Sequence, residues 1–422
     1  MHKLLIAFSL LFYSITSIGQ PTTIRIDPAT ATSGTASQLF EEINYIPLET
    51  IKESLFGDIQ RLTVTDKYFI IQDDASTILL FDKSGKFHAK ISDKKLDIQD
   101  FKYLKDENKL LVYLVNSKAV TPEMMELISK NLSELLNLFS KLVSARYYDL
   151  DGRALSEPVP DSYISIGIAS SIELYPGTIA SGAFMADKSF PDSTAYQLNI
   201  YKKNQLYKSW FPYNTKNDLF RCGVVNDGGI YKTNKDSIFY YTRPFDYTIY
   251  TFTEDTILPV FKFILPLQNT VSESLYSDST STKEELGAML KKNPSWITTL
   301  ENISVFNDLL LFKTVNNEWG FDQSNSFMFN LKSGSLISIS KSTPDKENGY
   351  LPFLGDNFYY RNFIARDETC LYSNISSLKM FRAKEETAEK NPIYPPVLEN
   401  YFKTESRMSN PVIVQLKPKE NL

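Results

Sequence analysis

The amino-acid sequence predicts an all-β protein, a six-bladed β-propeller with two helical insertions. Three observations lead to this fold class: an ordinary globular composition, a succession of short apolar strands, and a polar hairpin that recurs along the chain. The 422 residues are 42% hydrophobic and 23% charged, which excludes a disordered chain. This length is sufficient for one large all-β domain or for two to three smaller ones.

Four short antiparallel strands are predicted in close succession after the N-terminal region. They cover 61–65, 68–72, 77–82 and 86–91. Each turn between them is short and carries Asp, Ser or Gly, residues that tolerate turn geometry. This segment is therefore expected to form one four-stranded unit.

The last of these turns, with the aromatic residue before it, recurs along the chain. Its copies are 81–86, 148–153 and 329–334, with degenerate copies at 201–205 and 250–255. An aromatic residue on a strand followed by a polar hairpin, repeated in this way, is typical of radially arranged four-stranded units. A sandwich would also contain polar hairpins, but the repetition favours a propeller.

Six such units can be laid out between residues 41 and 418, which we take as a single propeller domain after an N-terminal extension at 20–40. The units centre on 59–92, 99–158, 162–212, 220–264, 301–341 and 350–418. The strand predicted at 411–416 is expected to complete a blade together with chain from the other terminus, since this closes the ring.

Two helices are predicted as insertions between strands. The first covers about 121–143, with Thr121 as N-cap, Pro122 at the first helical position and an apolar stripe at helical spacing. It is expected either to pack across the propeller or to act as a lid or partner-docking helix. The second covers about 282–292, where Thr282 and Glu285 have the spacing of a capping box.

The first nineteen residues have the pattern of a secretory signal peptide. Lys3 precedes a mostly apolar run, and the small residues Ser17 and Gly19 stand at −3 and −1 of a cut before Gln20. The alternative is a membrane anchor, but the run is shorter than the roughly 20 residues that a spanning helix needs. No later stretch approaches transmembrane length, and no Cys lies at the cut. We therefore expect an exported protein of the periplasm or cell surface that is not a lipoprotein.

Charge and composition disfavour several kinds of site. With 45 Lys and Arg against 50 Asp and Glu, the chain lacks the positive footprint of a nucleic-acid-binding protein. His88 is the single histidine after the leader, which disfavours metal sites built from imidazoles. Cys222 and Cys370 form either one disulfide or two buried thiols, and their spacing does not decide between these.

Several segments resemble one family. The run YIPLET at 45–50, followed by ESLFG at 53–57, resembles the opening of the exported six-bladed β-propeller proteins that are abundant in Bacteroidota. Further similar segments lie at 64–70, 79–87, 243–250 and 410–414, so the resemblance runs from about 41 to 418. It implies an NHL-like propeller exported to the periplasm or cell surface, and it implies no established reaction. Many relatives are lipoproteins, and the helix at 121–143 is longer than the usual connection in the second blade.

No strong catalytic motif is present, and we expect a non-enzymatic protein without a cofactor. The sequence has no GxSxG, HExxH, P-loop, GxGxxG or EF-hand loop. His88 is predicted to be an exposed residue of an outer strand. The alternative is a calcium-assisted hydrolase, similar to the lactonases built on six-bladed propellers, acting at the central channel. The oxygen ligands for Ca²⁺ would come from Asp66, Asp73, Asp74, Asn226, Asp227 and Asn307, and the favoured explanation of these residues is that they form turns.

A binding site at one end of the channel is the leading functional prediction. The candidates are Arg243, Asp246, Arg361 and Asn362, which lie beside strand motifs in the late blades. An Arg there would clamp a carboxylate or sugar hydroxyls, and the alternative is a structural ion pair between blades. The expected partner is a protein or a glycan of the cell envelope, and the oligomeric state is left open.

Overall fold

Twenty-four strands in the described part of the chain form six sheets. The computed structural model describes residues 20–119, 142–160, 171–175, 178–182, 196–202, 205–212, 229–233, 235, 237–272, 283–316, 326–355, 358, 362–420 and 422. The strands are β1 (Thr22–Arg25), β2 (Phe40–Pro47), β3 (Ile59–Val64), β4 (Tyr68–Asp73), β5 (Ile78–Asp82), β6 (Phe87–Ile91), β7 (Asp97–Leu104), β8 (Lys109–Val115), β9 (Val143–Tyr148), β10 (Ser171–Tyr175), β11 (Thr178–Gly182), β12 (Tyr196–Lys202), β13 (Gln205–Pro212), β14 (Ile230–Lys232), β15 (Phe239–Arg243), β16 (Asp246–Phe252), β17 (Ile257–Ile264), β18 (Ile297–Phe306), β19 (Leu309–Asn316), β20 (Ser326–Asn330), β21 (Leu336–Ser338), β22 (Ala365–Arg366), β23 (Leu371–Ile375) and β24 (Val412–Pro418).

Each sheet is one blade, so the fold is the predicted six-bladed β-propeller. Blade 1 contains β3–β6, blade 2 β7–β9, blade 3 β10–β13, blade 4 β14–β17, blade 5 β18–β21, and blade 6 β22–β24 with β2. In blade 2 the described residues form three strands, and an isolated β-bridge from Ala154 to Tyr148 takes the place of a fourth strand. The six predicted sequence units correspond to these six blades in order.

The middle strands of the blades are buried on both faces, which explains their nearly continuous apolar sequences. In blade 1, Ile78 to Phe81 of β5 are each 0% exposed. The buried side chains form clusters at the junctions between successive blades, such as the one that joins Leu80 of blade 1 to Phe101 and Val112 of blade 2. The core is therefore a ring of layers between blades.

The two ends of the described chain meet in blade 6. Strand β2 pairs antiparallel with β24 from Phe40↔Pro418 to Pro47↔Val412, which confirms the predicted closure of the ring. Before β2, the N-terminal extension runs along outer strands of two other blades. Strand β1 pairs parallel with β17 of blade 4, and Thr32 bridges Ile337 of blade 5.

Within the ranges that the structure describes, four α-helices lie between strands: α1 (Ala36–Leu39), α2 (Lys283–Lys292), α3 (Ser377–Glu386) and α4 (Pro396–Thr404). Helix α2 confirms the second predicted insertion. The first lies almost entirely outside the described residues; Leu142 is helical, and Val143 begins β9 by pairing with Val115, so the predicted end agrees to within one residue. Helices α3 and α4 were not predicted. None of the described helices combines the length and apolar character needed to span a bilayer.

The connections between strands are long at one end of the blades and short at the other. In an antiparallel meander, the second turn and the link to the next blade leave from the end opposite to the first and third turns. The first and third turns are brief, as at 65–67, 83–86 and 307–308. The second turns and inter-blade links include 116–142, 265–296, 339–364 and 376–411. We call the end that carries them the long-connection face.

Candidate functional site at the central channel

A cavity of about 330 Å³ lies where the innermost strands of four blades converge. These strands are β10, β14, β18 and β22, the first strands of blades 3 to 6. Its lining residues are Ile172, Ile230, Tyr231, Lys232, Asn302, Ile303, Ser304, Leu311, Asn362, Phe363, Ala365, Arg366 and Leu371. This mixture, a mainly apolar wall with a few polar side chains, is typical of a small-ligand pocket, and the volume is at the lower end of the usual range. We call it the channel cavity.

Arg366 is the central polar residue of this cavity. Its Nη1 donates hydrogen bonds to the Ser304 hydroxyl and to the Val305 carbonyl, both at 2.7 Å, and its Nη2 donates to the Lys232 carbonyl at 3.3 Å. These contacts join the innermost strands of blades 4, 5 and 6. Burial lowers the pKa of Arg366, and the nearby Tyr240 acts in the opposite direction. Among the described residues, none of its hydrogen-bond acceptors is a carboxylate.

Two asparagines of the cavity wall adopt left-handed backbone conformations. Asn302 has φ 54° and Asn362 has φ 56°, values that Asn tolerates better than most residues. Asn302 lies in an irregularity of β18, where the register with β19 shifts between Glu301 and Ser304. Bulges and left-handed residues are concentrated next to functional sites in proteins. Both features therefore mark this part of the channel.

Ionisable groups beside the cavity are shaped mainly by burial. Burial raises the pKa of Tyr231, and the charge of Glu301 acts in the same direction. Lys313 faces Glu301 across the β18–β19 pair, and burial lowers its pKa while Glu301 acts to raise it. The cavity thus has cationic side chains close to it, with Glu301 as a nearby acid.

The predicted binding residues fall into two separate places. Arg243 and Asp246 form an ion pair at 3.3 Å across the turn that joins β15 to β16. Arg243 also donates from Nε to the Gln197 side chain at 2.7 Å and covers the ring of Phe211 at 4.1 Å. Because Gln197 and Phe211 belong to blade 3, this cluster joins two blades, although the ion pair itself lies within blade 4 and not between blades as the structural alternative had it.

Of the other two candidates, Asn362 lines the channel cavity, and Arg361 lies outside the described residues. Neither Arg243 nor Asp246 contributes to the cavity lining. Sequence reasoning missed Arg366, although it selected the segment that leads into β22. The signal available was an Arg on an innermost strand, but no motif distinguishes it from the other arginines.

The proposed calcium ligands are not brought together by the structure. Asp66 and Asn307 lie in first turns of blades 1 and 5, whereas Asp73 and Asp74 lie at the second turn of blade 1. Asp73 accepts hydrogen bonds from the amide of Thr77 at 2.6 Å and from its hydroxyl at 2.7 Å, as a turn residue does. Asn226 and Asp227 lie outside the described residues. Within the described ranges, no three His, Cys, Asp or Glu side chains are grouped as a metal site requires.

His88 and Cys370 have structural surroundings. His88 lies on β6, the predicted outer strand, with Nε2 3.1 Å from an Asp151 oxygen and its ring stacked on Tyr68 at 4.7 Å. Cys370 is a buried free thiol between blades 6 and 1, and burial raises its pKa. Cys222 lies outside the described residues.

Comparison with known proteins supports the fold. A family model, DUF5128, described as a 6-bladed beta-propeller, matches residues 19–117. No curated protein has a significant sequence match. The crystal structure of a Bacteroides fragilis protein described as exported superposes with a TM-score of 0.58 at 13% sequence identity. The match covers 94% of this chain and 100% of the Bacteroides fragilis chain. At this identity the likeness shows the fold alone.

A more distant solved structure is an oligogalacturonate lyase in complex with manganese. It matches with a TM-score of 0.32 at 10% identity, covering 84% of this chain and 75% of its own. A TM-score this low carries no argument about activity. The chemistry of the channel must therefore be inferred from its own residues.

Proposed function

We propose that this chain is an exported, NHL-like propeller of the Bacteroidota type that binds a partner in the cell envelope without catalysing a reaction. The family match over 19–117 and the likeness to an exported Bacteroides fragilis protein support the export and the family. The signal-peptide pattern of residues 1–19 and the absence of a cysteine at the predicted cut support a non-lipidated protein of the periplasm or cell surface.

One observation carries the binding role: the channel cavity combines an apolar wall with a small set of convergent polar side chains. Arg366, Ser304 and Asn362 come from two different blades, and backbone hydrogen bonds hold the first of these in place. A rigid β scaffold that presents such a cavity is suited to recognition, since its ligand groups are preorganised. The long-connection face provides further surface for a large partner.

The test fills the cavity. Replacing Ala365, an inner-strand residue that lines it, by Phe (Ala365→Phe) is expected to weaken binding of immobilised envelope glycans or outer-membrane proteins, prepared from the producing cells, by at least about tenfold. Ala154→Phe, the same change at an exposed position of blade 2, should leave that binding unchanged. Biolayer interferometry measures both, and thermal melting verifies that the variants are folded.

Three results would overturn the proposal. The first is that neither the envelope glycans nor the outer-membrane proteins bind the unmodified protein. The second is that Ala365→Phe binds them as well as the unmodified protein does. The third is that a bound glycan is recovered cleaved. A stoichiometric Ca²⁺ in the native mass spectrum, together with cleavage abolished by chelator, would favour the alternative metal-assisted hydrolase at the channel.

A further inference from the structure

We infer that the channel cavity recognises a sugar that carries a carboxylate, such as the terminal acidic residue of an envelope glycan. This inference rests on the proposed function, since it names the chemical class of ligand for the same cavity. Three observations support it: the hydrogen-bond donors of Arg366, the polar side chains around this residue and the charge at the cavity.

Arg366 has donors to spare. A guanidinium group has five N–H donors, and the hydrogen bonds to Ser304, Val305 and Lys232 account for three of them. All three acceptors are neutral, and the described residues provide no carboxylate partner. Two donors on a planar guanidinium match a carboxylate bidentately, and this pairing is stronger than a bond to a neutral acceptor.

The charge at the cavity points to an anion. A partly buried cation without an opposite charge is unfavourable, which agrees with the lowered pKa of Arg366. Glu301, which stands opposite the buried Lys313 in the β18–β19 register, is not part of the lining. A bound carboxylate would compensate Arg366.

The remaining groups favour a sugar over a peptide terminus. Asn362 is 6% exposed, and its side-chain oxygen accepts the amide of Phe363 at 3.0 Å. No described group accepts a hydrogen bond from its amide nitrogen, which therefore remains available for a hydroxyl. Phe363 and Ile303 supply an apolar wall for a carbon skeleton. A peptide C-terminus would supply a carboxylate, but it would lack the ring hydroxyls that the Asn362 amide can meet.

Three small probes separate the contributions to binding: D-glucuronate has a carboxylate and hydroxyls, D-glucose has hydroxyls alone, and propionate has a carboxylate alone. In ligand-observed NMR titrations of the full mature chain, D-glucuronate should bind at least about tenfold more tightly than either of the others. Equal binding of D-glucose would overturn the carboxylate inference, and equal binding of propionate would overturn the sugar inference, while both leave the proposed function intact.

Two variants locate the site. Arg366→Gln removes the cation, and Asn362→Asp keeps the shape while placing a negative charge in the cavity. Each should weaken D-glucuronate binding at least about tenfold. Asn391→Asp is the matched control, because Asn391 is exposed and also left-handed, with φ 50°. If Arg366→Gln fails to fold, D-glucuronate binding by Asn362→Asp tests the inference by itself.

Unchanged D-glucuronate binding in Asn362→Asp would overturn the inference. So would binding of none of the three probes by the unmodified protein. In that second case, envelope binding that is still sensitive to Ala365→Phe would show that the proposed function survives without this ligand class.

Discussion

Side-chain oxygens of turn residues hold the recurring hairpin in shape. Asp82 accepts hydrogen bonds from the amides of Ser84 and Lys86 at 2.8 and 3.0 Å. Although burial acts to raise the pKa of Asp82, a hydrogen bond from the Ser84 hydroxyl at 2.6 Å and these two backbone hydrogen bonds outweigh it and hold the pKa below its usual value. The corresponding residues of blades 2 and 5 accept from the amides that follow them in the same way. These residues are Asp149 and Asn330.

A glycine with positive φ completes each hairpin, but the spatial surroundings of these glycines differ. Gly85 has φ 87°, and a Cβ on it would lie 2.1 Å from the carbonyl oxygen of Pro47, the last residue of β2. Gly334 has φ 76°, and a Cβ there would meet no atom within 4 Å. Gly85 therefore has two requirements, a left-handed backbone and close contact between blades 6 and 1, whereas Gly334 has the first alone.

Two alanine substitutions separate these requirements. Gly334→Ala should lower the free energy of unfolding by about 1–2 kcal/mol, the cost of a left-handed non-glycine residue. Gly85→Ala should lower it by about 3 kcal/mol or more, because the clash is with backbone that cannot rotate away. Denaturant unfolding of both variants measures the difference. Equal losses would show that the contact with Pro47 is unimportant.

The sequence predicts the hairpin and not its contact. The order of aromatic residue, Asp or Asn, and Gly is local, so turn chemistry is sufficient to recognise it. The approach of Gly85 to Pro47 joins residues of two blades, and no local pattern encodes it. Arg366 was missed for the same reason, since its partners Ser304 and Lys232 lie on other blades.

At the scale of elements, the N-terminal extension is part of the propeller core. Ile24 of β1 is 2% exposed and packs with residues of blades 4 and 5, including Phe263 and Leu300. The neighbouring Thr23 is exposed on the same strand. Strand β1 thereby covers the outer edge of blade 4, which would otherwise be open to pairing with another chain.

Substitutions on β1 test this role. Ile24→Ala should lower the free energy of unfolding by about 2–4 kcal/mol and speed hydrogen exchange in β17, its pairing partner. Thr23→Ala should change stability by less than about 0.5 kcal/mol. Protection of β17 that is identical in the two variants would mean that the extension is not held to blade 4 through Ile24.

Of the helices α2 and α4, the first was predicted from the sequence and the second was not. The capping-box spacing at Thr282 predicted a helix at about 282–292, and α2 covers Lys283–Lys292. Helix α4 was not predicted, although Pro396 stands at the first helical position, to which Pro is well suited. Its buried residues Leu398, Tyr401 and Phe402 do have helical spacing. Pro396 should therefore have been interpreted as a helix start.

At the scale of the whole molecule, one buried residue joins the two ends of the ring closure. Asn410 is 0% exposed and stands two residues before β24. Its Nδ2 donates to the carbonyls of Glu49 and Ser54 at 2.8 and 3.0 Å, and its Oδ1 accepts the amide of Phe56 at 3.0 Å. These partners lie in the link from β2 to β3. The segment that leads into the last strand is thus bonded to the segment that begins the first blade.

Asn410→Ala should therefore weaken the closure of the whole propeller. The Ser54 carbonyl and the Phe56 amide lose their partner, whereas the Glu49 carbonyl keeps a hydrogen bond from the Ser54 hydroxyl at 2.6 Å. Each unsatisfied group costs about 1–3 kcal/mol, so the free energy of unfolding should fall by about 2 kcal/mol or more. Asn44→Ala is the control, since Asn44 lies on β2 itself and makes a weak side-chain hydrogen bond of 3.5 Å to Gln415. That variant should lose less than about 1 kcal/mol of unfolding free energy.

Denaturant unfolding gives both values, and limited proteolysis should cut first within 48–58 in Asn410→Ala. Because β2 and β24 are hydrogen-bonded to each other, we expect both strands to lose hydrogen-exchange protection together in this variant. If proteolysis within 48–58 increases while β2 and β24 stay fully protected, Asn410 orders a surface link and the strand pair alone closes the ring.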